Sequence, residues 1–398
     1  MTSSDVPTQE LFGQQLMQAF IEETGGEFEL DLEEFVIHRI DGEGKFFLVN
    51  VYAEHCQLPE DARPEHIAYL ASTLAVSQEE PPEDYEAARP NLRPKIWARV
   101  MIESQNLKQR LEGKPEIQMP FQLIGEHLML TVVYDTEFAM RSLNRENYEK
   151  WGVTLEQAAE DAKANLLQST VSWAQIGDRV VCSMTGDNYD SARFVLPEFV
   201  RAQKFVGDPI ALVPDRDNCF LADGGDAESV AMIFKIAEEN KAEFQRALSP
   251  LPLILKDNAW IDWEPPANHM MRQAFERQYL QFIGGLYAEQ KELIKSVAGE
   301  EKELPFFATF SSLKGPDNVG EISFCVWSEG VVSYLPKTDV VLFYDQDELI
   351  NVCRWDDIAE AFGELLVADE SFYPVRYLTT GFPSRERLDE VPTVDSDS

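Results

Sequence analysis

Few residues in this chain have types and spacing that could carry chemistry, and most of them are carboxylates. The densest polar constellation is Gly186-Asp187-Asn188-Tyr189-Asp190-Ser191-Ala192-Arg193. It follows the apolar run RVVCSMT (179–185) and precedes an expected helix. Two readings fit it. In the first, Asp187 or Asn188 caps the orphan N–H groups of that helix, and acid in the first turn complements the helix dipole. Asp190 then pairs with Arg193 three residues on. In the second, Asp187, Asn188, Tyr189, Asp190 and Arg193 form a polar binding site at a sheet edge. There the two aspartates would hold a cation or a ligand amine. A second acidic set, Asp215, Asp217, Asp223 and Asp226, occupies two turns flanking one strand. Hard cations such as Mg²⁺ and Ca²⁺ take such oxygens, yet Asp is also an ordinary residue of turns and caps. Gly224-Gly225 ahead of a helix would let backbone amides meet an anion, but no lysine accompanies it.

The remaining chemistry-bearing residues are scattered. The histidines are His38, His55, His66, His127 and His269, and none has a second histidine at helical ligand spacing. His55-Cys56 with His66 would supply soft metal ligands, without the spacing of a zinc ribbon or finger. His127 precedes a strand and reads as an edge residue. A Cys–His nucleophilic pair stays open, because such partners meet in space and not in sequence. The chain has no GxxxxGK[ST], no GxGxxG after a strand, no GxSxG, no HExxH and no EF-hand loop. No cofactor is evident.

Composition narrows the partners. The 398 residues carry 34 Lys+Arg against 71 Asp+Glu, a formal net charge of −37. A surface of that sign repels phosphates and anionic lipid, which argues against nucleic acid and membrane as partners. At 44% hydrophobic residues the chain has material for real cores, and its length suggests roughly two or three domains. The start, MTSSDVPTQELFGQQLMQAF, lacks the basic and apolar regions of a signal peptide. No window approaches the ~18 apolar residues of a membrane span. Cys56, Cys182, Cys219, Cys325 and Cys353 are odd in number and far apart, and three lie inside apolar runs. This fits a reduced cytoplasm.

The elements that must position these residues read as α+β, with helices on largely antiparallel sheets. Residues 8–24 have helical spacing through Leu11, Leu16, Phe20 and Ile21. FVIHRI (35–40) and KFFLVNVY (45–52) read as strands around a turn at Asp41-Gly42-Glu43-Gly44. A helix over Pro64 to Leu74 completes an N-terminal segment, 1–76. SQEEPPEDYEAARPNLRP (77–94) reads as an acidic, proline-rich linker or loop. The segment 95–265 alternates helices and hairpins. It holds the strand LMLTVVYD (128–135), a helix over 151–168 with a Thr154/Gln157 capping box, and a hairpin over 171–185. A helix over 189–204, a hairpin over 209–222, a helix over 227–247 and a hairpin over 253–263 follow. Short hairpins imply antiparallel pairing. One long helix, 268–297, repeats Met271, Phe275, Tyr279, Phe282, Leu286 and Leu293, as a core or interdomain helix or a partner-binding helix would. FFATFSS, EISFCVWS, VVSYL and DVVLFY predict a four-strand meander in a second domain, 299–384. The stretch 385–398 is polar and predicted to be a disordered tail.

The middle segment resembles the YtpQ-like family of bacterial proteins, a domain of unknown function. LTVVYD (130–135) before Arg141-Ser142-Leu143-Asn144, WGVTLEQAAEDAKANL (151–166), DNYDSARFVL (187–196), PIALVPDRD (209–217) and LSPLPLILKDNAW (248–260) carry it. It covers about 90–265 and the N-terminal segment loosely. It implies a bacterial cytoplasmic protein and no named catalytic residues. It does single out 187–193, which the residues themselves also single out. Three functions follow as expectations. The first is a non-enzymatic acidic module that binds a protein, with a basic one favoured. The second is a metal-assisted hydrolase or nucleotide-processing enzyme using the acids of 187–193 and 215–226. The third is a solubilising or immunity-type scaffold that mimics a polyanion. No sequence feature specifies an oligomeric state.

Overall fold

In a computed structural model the described residues are 7–32, 35–40, 45–76, 81–136, 140–239, 247–298, 304–314 and 320–394. The turn expected at Asp41-Gly42-Glu43-Gly44 lies outside them. The architecture is α+β, with helices on several mostly antiparallel sheets. The chain divides into two compact units, 1–93 with 132–165, and 94–131 with 166–398. This division cuts across the segments read from the sequence. Segment 95–265 contributes to both units, and 266–398 belongs to the same unit as 166–265.

In the first unit, helix Gln9–Thr24 opens at Thr8, whose side chain accepts from the Leu11 amide. It buries Phe12, Leu16 and Phe20, while Leu11 is 47% exposed. These rings meet Phe28, Phe35, Ile37 and Leu48, together with Leu70 of helix Arg63–Val76. Strands Phe28–Asp31, Val36–Arg39 and Lys45–Phe47 form a three-stranded antiparallel sheet. KFFLVNVY is therefore a strand only over its first residues. Helix Val49–Gln57 takes over, because Tyr52 and His55 sit three apart and both face Phe12, a helical period. Residues 81–94 are not the loop their composition suggests. Asp84 caps the helical turn Tyr85–Ala88, and strand Leu92–Ala98 follows. Backbone groups that proline leaves without local partners are met from elsewhere. The Trp151 indole donates to the Pro82 carbonyl, and Asn165 donates to the carbonyls of Arg89 and Leu92.

The second unit holds a six-stranded antiparallel sheet. Its order is Ala259–Asp262, Leu253–Lys256, Pro209–Asp215, Asn218–Asp223, Val180–Ser183, Trp173–Ile176. Its hairpin turns match their residues: Gly177 and Asp178 both have positive φ, as do Asp257 and Asn258. Two positive φ angles give the turn whose twist suits a two-residue hairpin. In the first unit, helix Leu155–Leu167 opens with the reciprocal Thr154/Gln157 bonds expected of it, at 2.9 and 3.3 Å.

Several expected elements differ. The helix over 189–204 is a 3₁₀ segment, Asp190–Val195, and a separate helix, Pro197–Ala202. Leu196 is extended because the residue before a proline is pushed out of the helical region. The helix from Ala227 is described to Glu239, and Ala247 instead bridges Asp215. The four-strand meander is two interleaved sheets. Glu321–Ser328 pairs in parallel with Val340–Asp345, flanked by Ser311–Lys314 and Glu348–Arg354. The intervening Ser333–Pro336 belongs to the other sheet, with Phe306–Phe307, Arg376–Thr379 and Leu366–Asp369. Parallel neighbours need a crossover, and this strand is part of it. Helix Arg272–Ala298 is a core helix of this unit. Phe275 enters the core of the six-stranded sheet, while Ile283, Leu286, Tyr287 and Ile294 pack in two further clusters. Most of its apolar stripe packs within its own unit, while Tyr279 is 39% exposed and Met271 and Phe282 are only partly buried, which fits the core-helix expectation.

The predicted disordered tail is folded as far as residue 394. Ser384 caps helix Arg385–Asp389, Leu388 and Val391 enter the core beside Trp327 and Phe343, and Thr393 bridges Cys353. Among the described residues, no helix is long and apolar enough to cross a membrane.

Candidate functional site

The stretch 187–193 does converge, but on itself. Arg193 has no exposed surface. Its guanidinium meets Asp187 in a two-pronged pair, Nη1–Oδ1 2.9 Å and Nη2–Oδ2 2.6 Å, and Asp190 Oδ1 at 3.2 Å. Asp190 is buried and saturated: it also accepts from the Ser183 hydroxyl and from the Thr185 and Gly186 amides. Asp187 accepts the Tyr189 amide at 3.0 Å. Burial opposes ionisation of Asp187, but Arg193 and the Tyr189 amide outweigh it and hold the carboxyl below its usual pKa. Asn188 takes a left-handed conformation, and its carbonyl receives the buried Lys95 ammonium at 2.5 Å. That ammonium lies 5.1 Å from the centre of the Tyr189 ring. Lys95, Ser183 and Thr185 were invisible as partners in the sequence. Lys95 sits in an apolar strand 93 residues away from Asn188, and no spacing rule connects them. The arrangement stitches strand Val180–Ser183 to the 3₁₀ segment. The expected cation or ligand-amine role loses its acceptors, because Arg193 and backbone amides already occupy them.

The second acidic set does not gather. Asp215 and Asp217 lie at one end of the hairpin Pro209–Asp223, and Asp223 and Asp226 at the other. Five residues of strand put the ends about 17 Å apart. Each carboxylate serves its own turn. Asp215 accepts from the Asp217 amide and the Asn218 side chain, and burial raises its pKa. Asp223 accepts from the Val206, Gly207 and Gly225 amides, which outweigh burial and lower its pKa. Asp226 pairs with Arg179. The proposed anion cradle at Gly224-Gly225 is thus filled by the chain's own carboxylate. Among the described residues, no group of three or more His, Cys, Asp and Glu could hold a metal.

His55 and His66, grouped in the sequence as soft ligands with Cys56, do meet, while the burial of His127 had no signal in spacing. His55, almost fully buried, places Nδ1 3.1 Å from Nδ1 of His66. Burial, then His66 and Arg63, lower its pKa. Cys56 turns instead toward Tyr52. His127 is not an edge residue: it is buried, with Nδ1 2.6 Å from the Tyr373 hydroxyl and its ring edge-on to Phe282. Burial, aided by Arg99, drops its pKa to about 4. Burial pushes the thiols of Cys182, Cys325 and Cys353 up to about 11, 12 and 11, opposite to what a nucleophilic cysteine needs.

The first unit also presents an acidic depression to solvent. A shallow depression of about 520 Å³ lies between the Tyr85–Ala88 turn and helix Leu155–Leu167. Glu86, Glu156, Glu160 and Asp161 line it beside Tyr85, against Arg89 as the single cation among the described lining residues. Tyr85 donates to Asp161 at 2.7 Å, which orients both groups. Comparisons with protein-family models, curated proteins and solved structures found no match. The resemblance of 90–265 to the YtpQ-like family therefore rests on the quoted residues alone.

Proposed function

We propose that this chain is an acidic binding module that recognises a basic protein segment in a reducing cytoplasm. One observation carries the reading: the excess of 71 acidic over 34 basic residues reappears locally as four carboxylates and a tyrosine around one shallow depression. Lysine and arginine side chains suit such a surface through ion pairing and through the aromatic face. Complementarity of this kind raises association rates and weakens with salt. The five cysteines are all free thiols, which supports the compartment, as does the YtpQ-like resemblance. The hydrolase reading is less well supported, because its carboxylates are engaged by Arg193, Arg179 and backbone amides, and the second set is split between two ends of a hairpin.

The test is a titration of the full chain with a fluorescent Lys/Arg-rich peptide at rising salt. Glu156→Lys/Glu160→Lys is compared with Glu54→Lys/Glu60→Lys, which reverses two exposed carboxylates elsewhere in the same unit. We expect affinity to fall with salt and to fall about tenfold further in the first variant than in the second. Equal effects of the two variants would reduce the binding to bulk charge and remove the site.

A further inference from the structure

Helices Ala227–Glu239 and Arg272–Ala298 both contribute to the core of the six-stranded sheet. Between them the second unit leaves a pocket of about 480 Å³. That is the size of small-molecule sites, which run from roughly 300 to 1,000 Å³. The walls are mostly apolar, with Phe234 on one side, Met271, Ala274 and Phe282 on the other, and Leu248 beneath. Ala274 ends at its Cβ, so it leaves room that a longer side chain would fill.

The rim adds charge of a sign that the composition does not favour. Lys235 and Arg277 both line the pocket, against Glu238 as the single carboxylate among the described lining residues. Among the described residues, the ion pairs of both cations are long. Lys235 lies 3.7 Å from Glu239, and Arg277 lies 4.0 Å from Glu321. Such pairs contribute little, so either cation can turn to a ligand. Gln278 and Gln281 add amide donors from the same helix. In a chain of net charge −37, two cations beside an apolar pocket mark a local preference for an anion.

We infer that this pocket binds a small organic anion with an apolar body, of the alkyl or aryl carboxylate class. The apolar part lies between Phe234, Met271 and Phe282, and the carboxylate faces Lys235 and Arg277. This goes beyond the basic-segment reading: it concerns the other unit and a ligand of opposite charge.

Isothermal titration of the full chain with decanoate, decanol and decylammonium tests it. The expected result is one molecule of decanoate per chain, bound about tenfold more tightly than decanol, with decylammonium weakest. Lys235→Glu/Arg277→Glu abolishes the preference for decanoate over decanol and keeps decanol binding. Ala274→Trp fills the space and abolishes both. Absence of decanoate binding, several molecules per chain, or an unchanged decanoate-to-decanol ratio in the charge variant overturns the inference. The charge variant alters exposed residues, so it decides the matter even if Ala274→Trp does not fold.

Discussion

At the scale of residues, the candidate site is a buried ion pair. Arg193 is fully buried with two carboxylates and leaves its Nε without a hydrogen-bond partner. Removing one partner of a buried pair leaves charge uncompensated. Asp190→Ala is therefore expected to destabilise the second unit by about 3 kcal/mol, read by urea denaturation. A loss near zero would show that Asp187 alone compensates Arg193 and that Asp190 adds no net stability. His127 makes stability depend on pH. Its folded pKa, about 4, lies below the ~6.5 of an unfolded histidine. Below pH ~6.5 the unfolded chain takes up a proton that the folded chain refuses. Stability from this group is full above that pH and falls by up to about 3 kcal/mol as pH drops toward 4. His127→Gln should flatten that slope in denaturation curves taken across this range. A slope equal to the parent's would assign the titration elsewhere, with His55 next. The sequence showed the Asp190–Arg193 spacing but not the Asp187–Arg193 fork, because a six-residue spacing is no helical neighbour. The approach of His55 to His66 depends on two separate helices packing together.

At the scale of elements, local chemistry was legible where a few adjacent residues decide the backbone. Gly177-Asp178 and Asp257-Asn258 made hairpin turns, and Thr154 with Gln157 capped a helix, as their types require. Failures came where distant packing decides. The polar stretch 385–398 carries Leu388 and Val391 too sparsely for a periodic signal, yet both are buried. Leu388→Ala is expected to cost about 2–4 kcal/mol and to expose the C-terminal helix to limited proteolysis. Unchanged stability and protection would show that this helix rests on the surface. The four strands read as a meander failed for a related reason. Strand residues declare their period but not their partners, so Ser333–Pro336 gave no sign that it joins a different sheet.

At the scale of the whole molecule, charge and topology have separate origins. The net charge of −37 is a property of composition. It is the basis of the salt dependence expected in the peptide titration. The α+β class was likewise readable, because alternating helical and strand periods joined by short turns leave few other architectures. The division into units was not readable. The chain leaves the first unit near residue 93, at the end of the acidic, proline-rich stretch 77–94, then re-enters it at 132 and leaves again at 165, and no composition shift marks the last two points. The sequence offered a core role for helix Arg272–Ala298 but not its partners, since amphipathicity specifies that a face must be buried but not against what. The sequence by itself determined charge, class, turns and caps, which depend on side-chain type and on neighbours within a few residues. Only the tertiary structure decided that 187–193 closes on itself while the second acidic set stays apart, and that a pocket opens between two helices, because these depend on which distant segments meet.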